Sequence, residues 1–242
     1  MKAMIFAAGV GSRLKPLTDN TPKALIPVKG KPMLLWVAEK LMHAGVNEIV
    51  VNVHHHADAM VAFVEKLNYP GVRFFISDEQ KKLLDTGGGL VNAKHYLLGD
   101  HPFIVHNADV ISDVSLTEML EFHHGEQALA TLAVSKRNTS RYFLWHENRL
   151  AGWKNSKTGE SLVNPGFKDK PLQELAFSGI HIIDPRFFSL VDRSGQFSIT
   201  KTYLELAQQQ NIVAYRHDPA RWADIGTPAK LKRAEEMLEA GS

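Results

Sequence analysis

The 242-residue chain carries 28 basic and 26 acidic side chains, and its formal charge of +2 is too small to argue for a nucleic-acid or anionic-membrane partner. Cysteine is absent, which excludes disulfides, thiolate nucleophiles and cysteine-held zinc together. With 44% apolar and 22% charged residues and no apolar run of transmembrane or signal-peptide length, the chain reads as one cytoplasmic globular domain over residues 1–242.

Residues 3–7 read as a buried strand whose C-terminal end opens into Ala8-Gly9-Val10-Gly11-Ser12-Arg13-Leu14-Lys15-Pro16, followed by Thr21-Pro22-Lys23. Gly9 and Gly11 permit positive φ and close backbone approach, and consecutive amides in such a loop form an anion-binding concavity. Arg13, Lys15 and Lys23 add the charge that backbone dipoles lack, so the segment predicts a polyphosphate site. It is neither of two familiar phosphate loops. The G-x-G-x-x-G pattern fails at Leu14, and Gly30-Lys31 runs into Pro32 instead of Ser or Thr.

A helix is predicted over 32–44, with Leu34, Leu35, Val37, Ala38 and Leu41 inward, then a strand over 46–53. A helix over 57–67, a strand over 72–76, a helix over 88–98 and a strand over 103–106 follow. This alternation predicts a parallel sheet covered on both faces, with its site beyond the carboxyl ends of the strands. Strands over 129–135, 142–145, 150–153 and 176–183 suggest an antiparallel lid or extension. A helix over 197–209 and a strand over 212–216 come next, and Thr227-Pro228 opens the last helix. No repeat of any period is present.

Two aspartates stand where such a sheet presents its site: Asp109, just after a buried strand, and Asp224, just before a helix start. Carboxylates together with phosphate oxygens are the usual magnesium arrangement, so both are candidate Mg2+ ligands. The cluster Leu84-Asp85-Thr86-Gly87-Gly88-Gly89 offers bare backbone against which a base or ribose can lie. His54-His55-His56 with Asp58 suggests zinc, but adjacent side chains at a strand end point in alternating directions and do not converge on one ion.

Gly9-Val10-Gly11-Ser12-Arg13-Leu14-Lys15-Pro16-Leu17-Thr18 with Thr21-Pro22-Lys23 resembles the signature of the sugar-1-phosphate nucleotidylyltransferases. The similarity continues in family order through Gly30-Lys31-Pro32, the 86–89 cluster, Asn107-Ala108-Asp109-Val110, Phe177-Ser178-Gly179-Ile180 and Trp222-Ala223-Asp224-Ile225-Gly226-Thr227. The resemblance implies an α/β fold: a Rossmann-like three-layer sandwich with a mostly parallel central sheet and a small antiparallel sugar-side extension. Its nucleotide-binding half would span about 1–125 and its sugar-binding half about 126–242.

The resemblance also implies roles. Arg13 and Lys23 would be catalytic, Arg13 on the triphosphate and departing pyrophosphate, Lys23 on the phosphates near the reacting phosphorus. Ala8, Gly9, Gly11, Ser12, Gly87, Gly88 and Asn107 would complete the nucleotide side, and Asn164, Ser178, Gly179 and Trp222 the sugar side. Asp109 and Asp224 would hold Mg2+. The partners implied are a nucleoside triphosphate and a sugar 1-phosphate, and homo-oligomers are frequent in the family. Three departures stand out: Lys15 where arginine is commoner, Ala108 for a common glycine, and Phe167-Lys168-Asp169-Lys170-Pro171 where many members have Glu-Lys-Pro. Within the family the chain most resembles N-acetylmuramate 1-phosphate uridylyltransferases, which favours UTP. Mannose or heptose 1-phosphate guanylyltransferases, a phosphocholine cytidylyltransferase and an inactive nucleotide-sugar-binding regulator are the alternatives.

Overall fold

Strict alternation builds the centre of the molecule: on β1 (Lys2–Phe6), Ala3 and Ile5 enter one apolar cluster and Met4 enters another on the opposite face. The computed structural model describes residues 1–218 and 220–240. After β1 come β2 (Pro27–Val28), β3 (Lys31–Pro32), α1 (Met33–His43), β4 (Glu48–Val53), α2 (Ala57–Val64), β5 (Arg73–Asp78), α3 (Asp85–Asn92), α4 (Lys94–Leu97) and β6 (Phe103–Asn107). The second half holds β7 (Val110–Ser112), α5 (Leu116–Gly125), β8 (Ala130–Ser135), β9 (Arg141–His146), β10 (Arg149–Asn155), β11 (Ser161–Val163) and β12 (Gln173–Ile183). It ends with α6 (Phe187–Leu190), α7 (Ile199–Leu206), β13 (Ile212–Arg216), β14 (Trp222–Asp224) and α8 (Pro228–Glu239).

The main sheet runs β11-β10-β13-β8-β12-β6-β1-β4-β5, with β9 bridging β10 and β12. β6, β1, β4 and β5 are parallel neighbours, as is the pair β8 and β13. The remaining pairings in this sheet are antiparallel, and β8, β12, β9, β10 and β13 close on themselves as a ring. The sheet is therefore mixed, which corrects the expectation of mostly parallel strands with a small extension. The cause is β12, whose residues 180–183 pair with β6 while 173–175 pair with β9, so one long strand belongs to both halves.

Apolar clusters cover both faces of the parallel half, one under α1, α2 and α5, the other under α3, α4 and α7. The helix expected over 88–98 is two helices, α3 and α4, separated at Ala93. α5 was not anticipated: its buried face is Leu116, Met119 and a histidine, His123, so its apolar period is weak. Ser115 caps it, accepting from Glu118 N. A smaller cluster of Val28, Ile111, Ala223, Ile225 and Ala234 holds the two-stranded pair of β7 and β14 against α8.

α3 lies hard against the 195–197 segment. Gly87 N and Gly88 N both donate to Phe197 O, at 2.9 and 3.2 Å, and a Cβ on Gly88 would overlap Gly195 O. Gly88→Ala is expected to cost about 1–3 kcal/mol, as overpacking does in a filled interior, and to lower the urea midpoint accordingly. An unchanged midpoint would show that the 195–197 segment yields freely.

Four histidines are buried, and three of them, His106, His123 and His181, are the most deeply so. Burial lowers His106 and His123 to about 4 and His181 to about 3. His181 Nδ1 is hydrogen-bonded to Tyr203 Oη at 2.9 Å and His123 Nδ1 to Thr131 Oγ1 at 2.8 Å. Unfolded, these rings titrate near about 6.5, so below that pH the unfolded chain takes up protons that the native state does not. Stability present above about pH 6.5 is lost as pH falls toward 4, at about 1.4 kcal/mol per pH unit for each ring. The urea midpoint should fall between pH 7 and pH 5; a flat profile contradicts neutral burial of the three rings.

Candidate active site

The carboxyl ends of β1, β4 and β6 open side by side, and Ala108 N donates to Phe6 O at 3.0 Å, tying the loops after β1 and β6 together. Asn52 on β4 pins the start of the glycine loop: its Oδ1 accepts from Ala7 N at 2.7 Å and Ala8 N at 3.3 Å. Its Nδ2 donates to Glu79 Oε1 at 2.7 Å, and Glu79 Oε2 accepts from Leu84 N at 3.0 Å. The signal for Asn52 was a single amide inside the apolar run Ile49-Val50-Val51-Asn52-Val53, and sequence reasoning passed it over.

Gly11 sits at φ 68°, and a Cβ there would stand 3.0 Å from both Lys23 Cβ and Thr18 Cγ2. Glycine is needed for both reasons. A cavity of about 380 Å3 lies inside this loop, lined by Ala8, Gly9, Lys23, Asn52, Glu79, Asn107 and Asp109 among others. Ser12 and Arg13 are exposed and do not line it. Arg13 instead crosses close to Gly226, its Nη2 3.1 Å from where a Cβ on that glycine would lie. Gly87 and Gly88 stand behind the cavity, committed to Phe197 as described above. Leu83, Asp85 and Thr86 line it from that stretch. Those two glycines do not line it, and close packing alone already requires glycine at both positions.

A second cavity, about 290 Å3, adjoins the first, and Asn107 and Asp109 line both. Its other walls include Arg137, Tyr142, Phe143, Trp153, Phe177, Ser178, Gly179, Trp222 and Asp224. Gly179, at φ 77°, leaves no room for a Cβ, which would approach Asn107 Nδ2 to 2.7 Å. Trp222 Nε1 donates to Ser178 O at 2.8 Å. The Ser178 hydroxyl is engaged with His217 Nε2 at 2.7 Å and with Arg137 Nη1 at 3.0 Å. Asn164 is buried elsewhere, its Nδ2 donating to Leu204 O at 3.2 Å, and it lines neither cavity. There it anchors the end of α7.

Asp109 and Asp224 come together through β7 and β14. Asp224 pairs with Val110, and Ile225 N donates to Asp109 O at 2.7 Å. Each carboxylate has an ammonium partner: Lys23 on Asp109, and Lys230, which sequence reasoning missed, on Asp224. Among the described residues there is no group of three or more His, Cys, Asp or Glu suited to a metal. Two hard carboxylates fit Mg2+ when substrate phosphates complete its shell. Arg137 was also missed, because nothing in Lys136-Arg137-Asn138 marks it locally. Its guanidinium lies 3.8 Å from the centre of the Trp222 ring, and burial lowers its pKa to about 10, with Asp224 and Asp218 opposing the shift. It stays charged at neutral pH.

The chain matches the nucleotidyl transferase family over residues 2–241. It is 32% identical to the N-acetylmuramate alpha-1-phosphate uridylyltransferase of Neisseria meningitidis serogroup B over 99% of each chain. It is also 32% identical to a mannose-1-phosphate guanyltransferase of Yarrowia lipolytica, over 94% of this chain but only 61% of that protein. A UDP-glucose pyrophosphorylase from Acinetobacter baumannii shares the fold, with a TM-score of 0.76 at 18% identity over 98% of this chain and 92% of that one. With the glycine loop, the two adjoining cavities and the paired aspartates in place, the chain belongs to the nucleotidyl transferase family.

Proposed function

We propose that the chain transfers a nucleoside monophosphate from a nucleoside triphosphate to a sugar 1-phosphate, with UTP and N-acetylmuramate 1-phosphate as the favoured pair. The observation that carries this reading is the wall shared by the two cavities. Ligands filling them meet at Asn107 and Asp109, beside Asp224.

A phosphate oxygen of the sugar 1-phosphate attacks the α-phosphorus. A new P–O bond forms as the bond to the bridging oxygen breaks, and pyrophosphate leaves on the opposite side. The attacking oxygen is already anionic at neutral pH, so no general base is required. The site must hold two anions together and aligned. Lys23 would supply charge on the nucleotide side, and Arg13, with no ionic partner among the described residues, would close on the leaving phosphates. Mg2+ held by Asp109 and Asp224 would neutralise further phosphate charge. Lys23 and Lys230 would then be released from those carboxylates toward the substrates.

The uridylyl reading is supported by full-length similarity to an N-acetylmuramate alpha-1-phosphate uridylyltransferase, whereas the mannose-1-phosphate guanyltransferase is matched over 61% of its length. The cavity's buried carboxylate does not by itself select the base. Glu79 is a buried carboxylate lining the nucleotide cavity, and an acceptor-only group suits guanine's two-donor edge as well as the single N–H of uracil. A phosphocholine acceptor is disfavoured, because Arg137 already covers the Trp222 face that a quaternary ammonium would use. An inactive regulator is disfavoured by the retention of Arg13, Lys23, Asp109 and Asp224.

Pyrophosphate release should be measured with Mg2+ across the four ribonucleoside triphosphates and dTTP. Each is paired with N-acetylmuramate, mannose, heptose and glucose 1-phosphates and with phosphocholine. The expected result is a dominant signal for UTP with N-acetylmuramate 1-phosphate; dominance of GTP with mannose or heptose 1-phosphate replaces that pair. Nucleotide binding with silence across the panel supports the regulator. Arg13→Ala should lower turnover by about a hundredfold or more, as loss of a transition-state charge donor does; near wild-type turnover would sink its role. Asp224→Asn should depress activity and weaken its magnesium dependence together, and an unaltered magnesium titration counts against it as a ligand.

A further inference from the structure

We propose that Arg137 and Arg141 form the anchor for the acceptor's phosphate, a phosphomonoester recognised from the loop between β8 and β9; this rests on the transferase reading above. Among the described residues Arg137 has no ion-pair partner. Its Nη1 donates to Ser135 Oγ at 2.7 Å, Ala176 O at 3.0 Å and Ser178 Oγ at 3.0 Å, and its Nη2 donates to Phe177 O. All four acceptors are neutral. The carboxylates that face it are committed elsewhere, Asp218 to Arg216 and Asp224 to Lys230. A half-buried charge held by neutral oxygens has paid desolvation without a compensating anion, which suits a site completed by an anionic ligand.

The place of the charge selects the anion. Arg137 lines the same cavity as Asp109 and Asp224 and stacks on Trp222, two residues before Asp224. In the transfer reaction the part of the acceptor that must lie beside those aspartates is its phosphate, while the aromatic wall of Tyr142, Phe143, Trp153 and Phe177 remains for the sugar ring. Arg141, at the start of β9, lines this cavity too, is exposed, and has no hydrogen-bonded or ionic partner among the described residues. Lys168 and Lys170, which stand where the family's sugar-side lysine motif would fall, are exposed and line neither cavity. With those lysines outside, two arginines supply the charge, and the fork geometry of a guanidinium matches a phosphate.

The test titrates wild type, Arg137→Met and Arg141→Ala with inorganic phosphate by calorimetry and measures KM for triphosphate and for sugar 1-phosphates with and without a carboxylate. Thermal midpoints are recorded for each. Arg141→Ala breaks no internal bond and keeps the test decisive if Arg137→Met unfolds. The expected result is phosphate affinity weakened by about tenfold or more, as for a lost charged hydrogen bond. KM for every sugar 1-phosphate should rise in step, with KM for the triphosphate unchanged. Unchanged phosphate affinity and unchanged sugar KM in both variants overturn the anchor. A loss confined to carboxylate-bearing sugars overturns it in favour of arginines that read the sugar. If wild type transfers to no sugar 1-phosphate yet binds phosphate through Arg141, the anchor stands and the transferase reading falls. If wild type does not bind phosphate at all, the anchor falls.

Discussion

The antiparallel pairing of β7 with β14 is the constraint on which the site depends. It sets Asp224 opposite Val110 and so brings carboxylates from distant parts of the chain beside one another. Nothing local would do this. The pairing is held from below by Val28, Ile111, Ala223, Ile225 and Ala234, an apolar cluster separate from the two that flank the main sheet. Neighbouring carboxylates repel, more strongly where the dielectric is reduced, and Lys23 and Lys230 offset that repulsion in the protein alone. Any change that slips the β7–β14 register separates the aspartates and misplaces Trp222 at once.

Around that pair the fold assigns separate tasks to separate strands. β1 and β4 shape the first cavity, where buried Asn52 satisfies the first loop amides and ties them to Glu79. β12 shapes the second cavity, because its bend at Gly179 lets Asn107 pass and aims Ser178 O at the Trp222 indole. Because β12 also pairs with β6, a displacement at the second cavity is transmitted to the strand that carries Asn107 and leads to Asp109. The two substrates would therefore be held by one continuous sheet, with little freedom to drift apart during transfer.

What was legible in the sequence was what depends on near neighbours. Gly11, Lys23 and the alternation through residues 3–106 follow from backbone freedom, charge and period. Asp109 was visible as a carboxylate at a strand end, and Thr227-Pro228 as a cap. The mixed character of the sheet was not legible, since one strand's membership of two halves is a pairing fact and not a pattern in residues 173–183. Arg137 and Lys230 were invisible for the same reason: each matters through a side chain far away in sequence. Gly87 and Gly88 were seen, but not the packing that also requires them. Glycine there answers to Phe197 and Gly195, which no local pattern announces.

The central claim is that two anions meet directly at the shared wall and react in line, without a covalent intermediate on the protein. The most direct measurement is the stereochemical course at the α-phosphorus, using an α-thio triphosphate of known configuration with the acceptor that turns over. The account predicts inversion, the mark of a single displacement. Retention would require a nucleotidylated side chain and would contradict it.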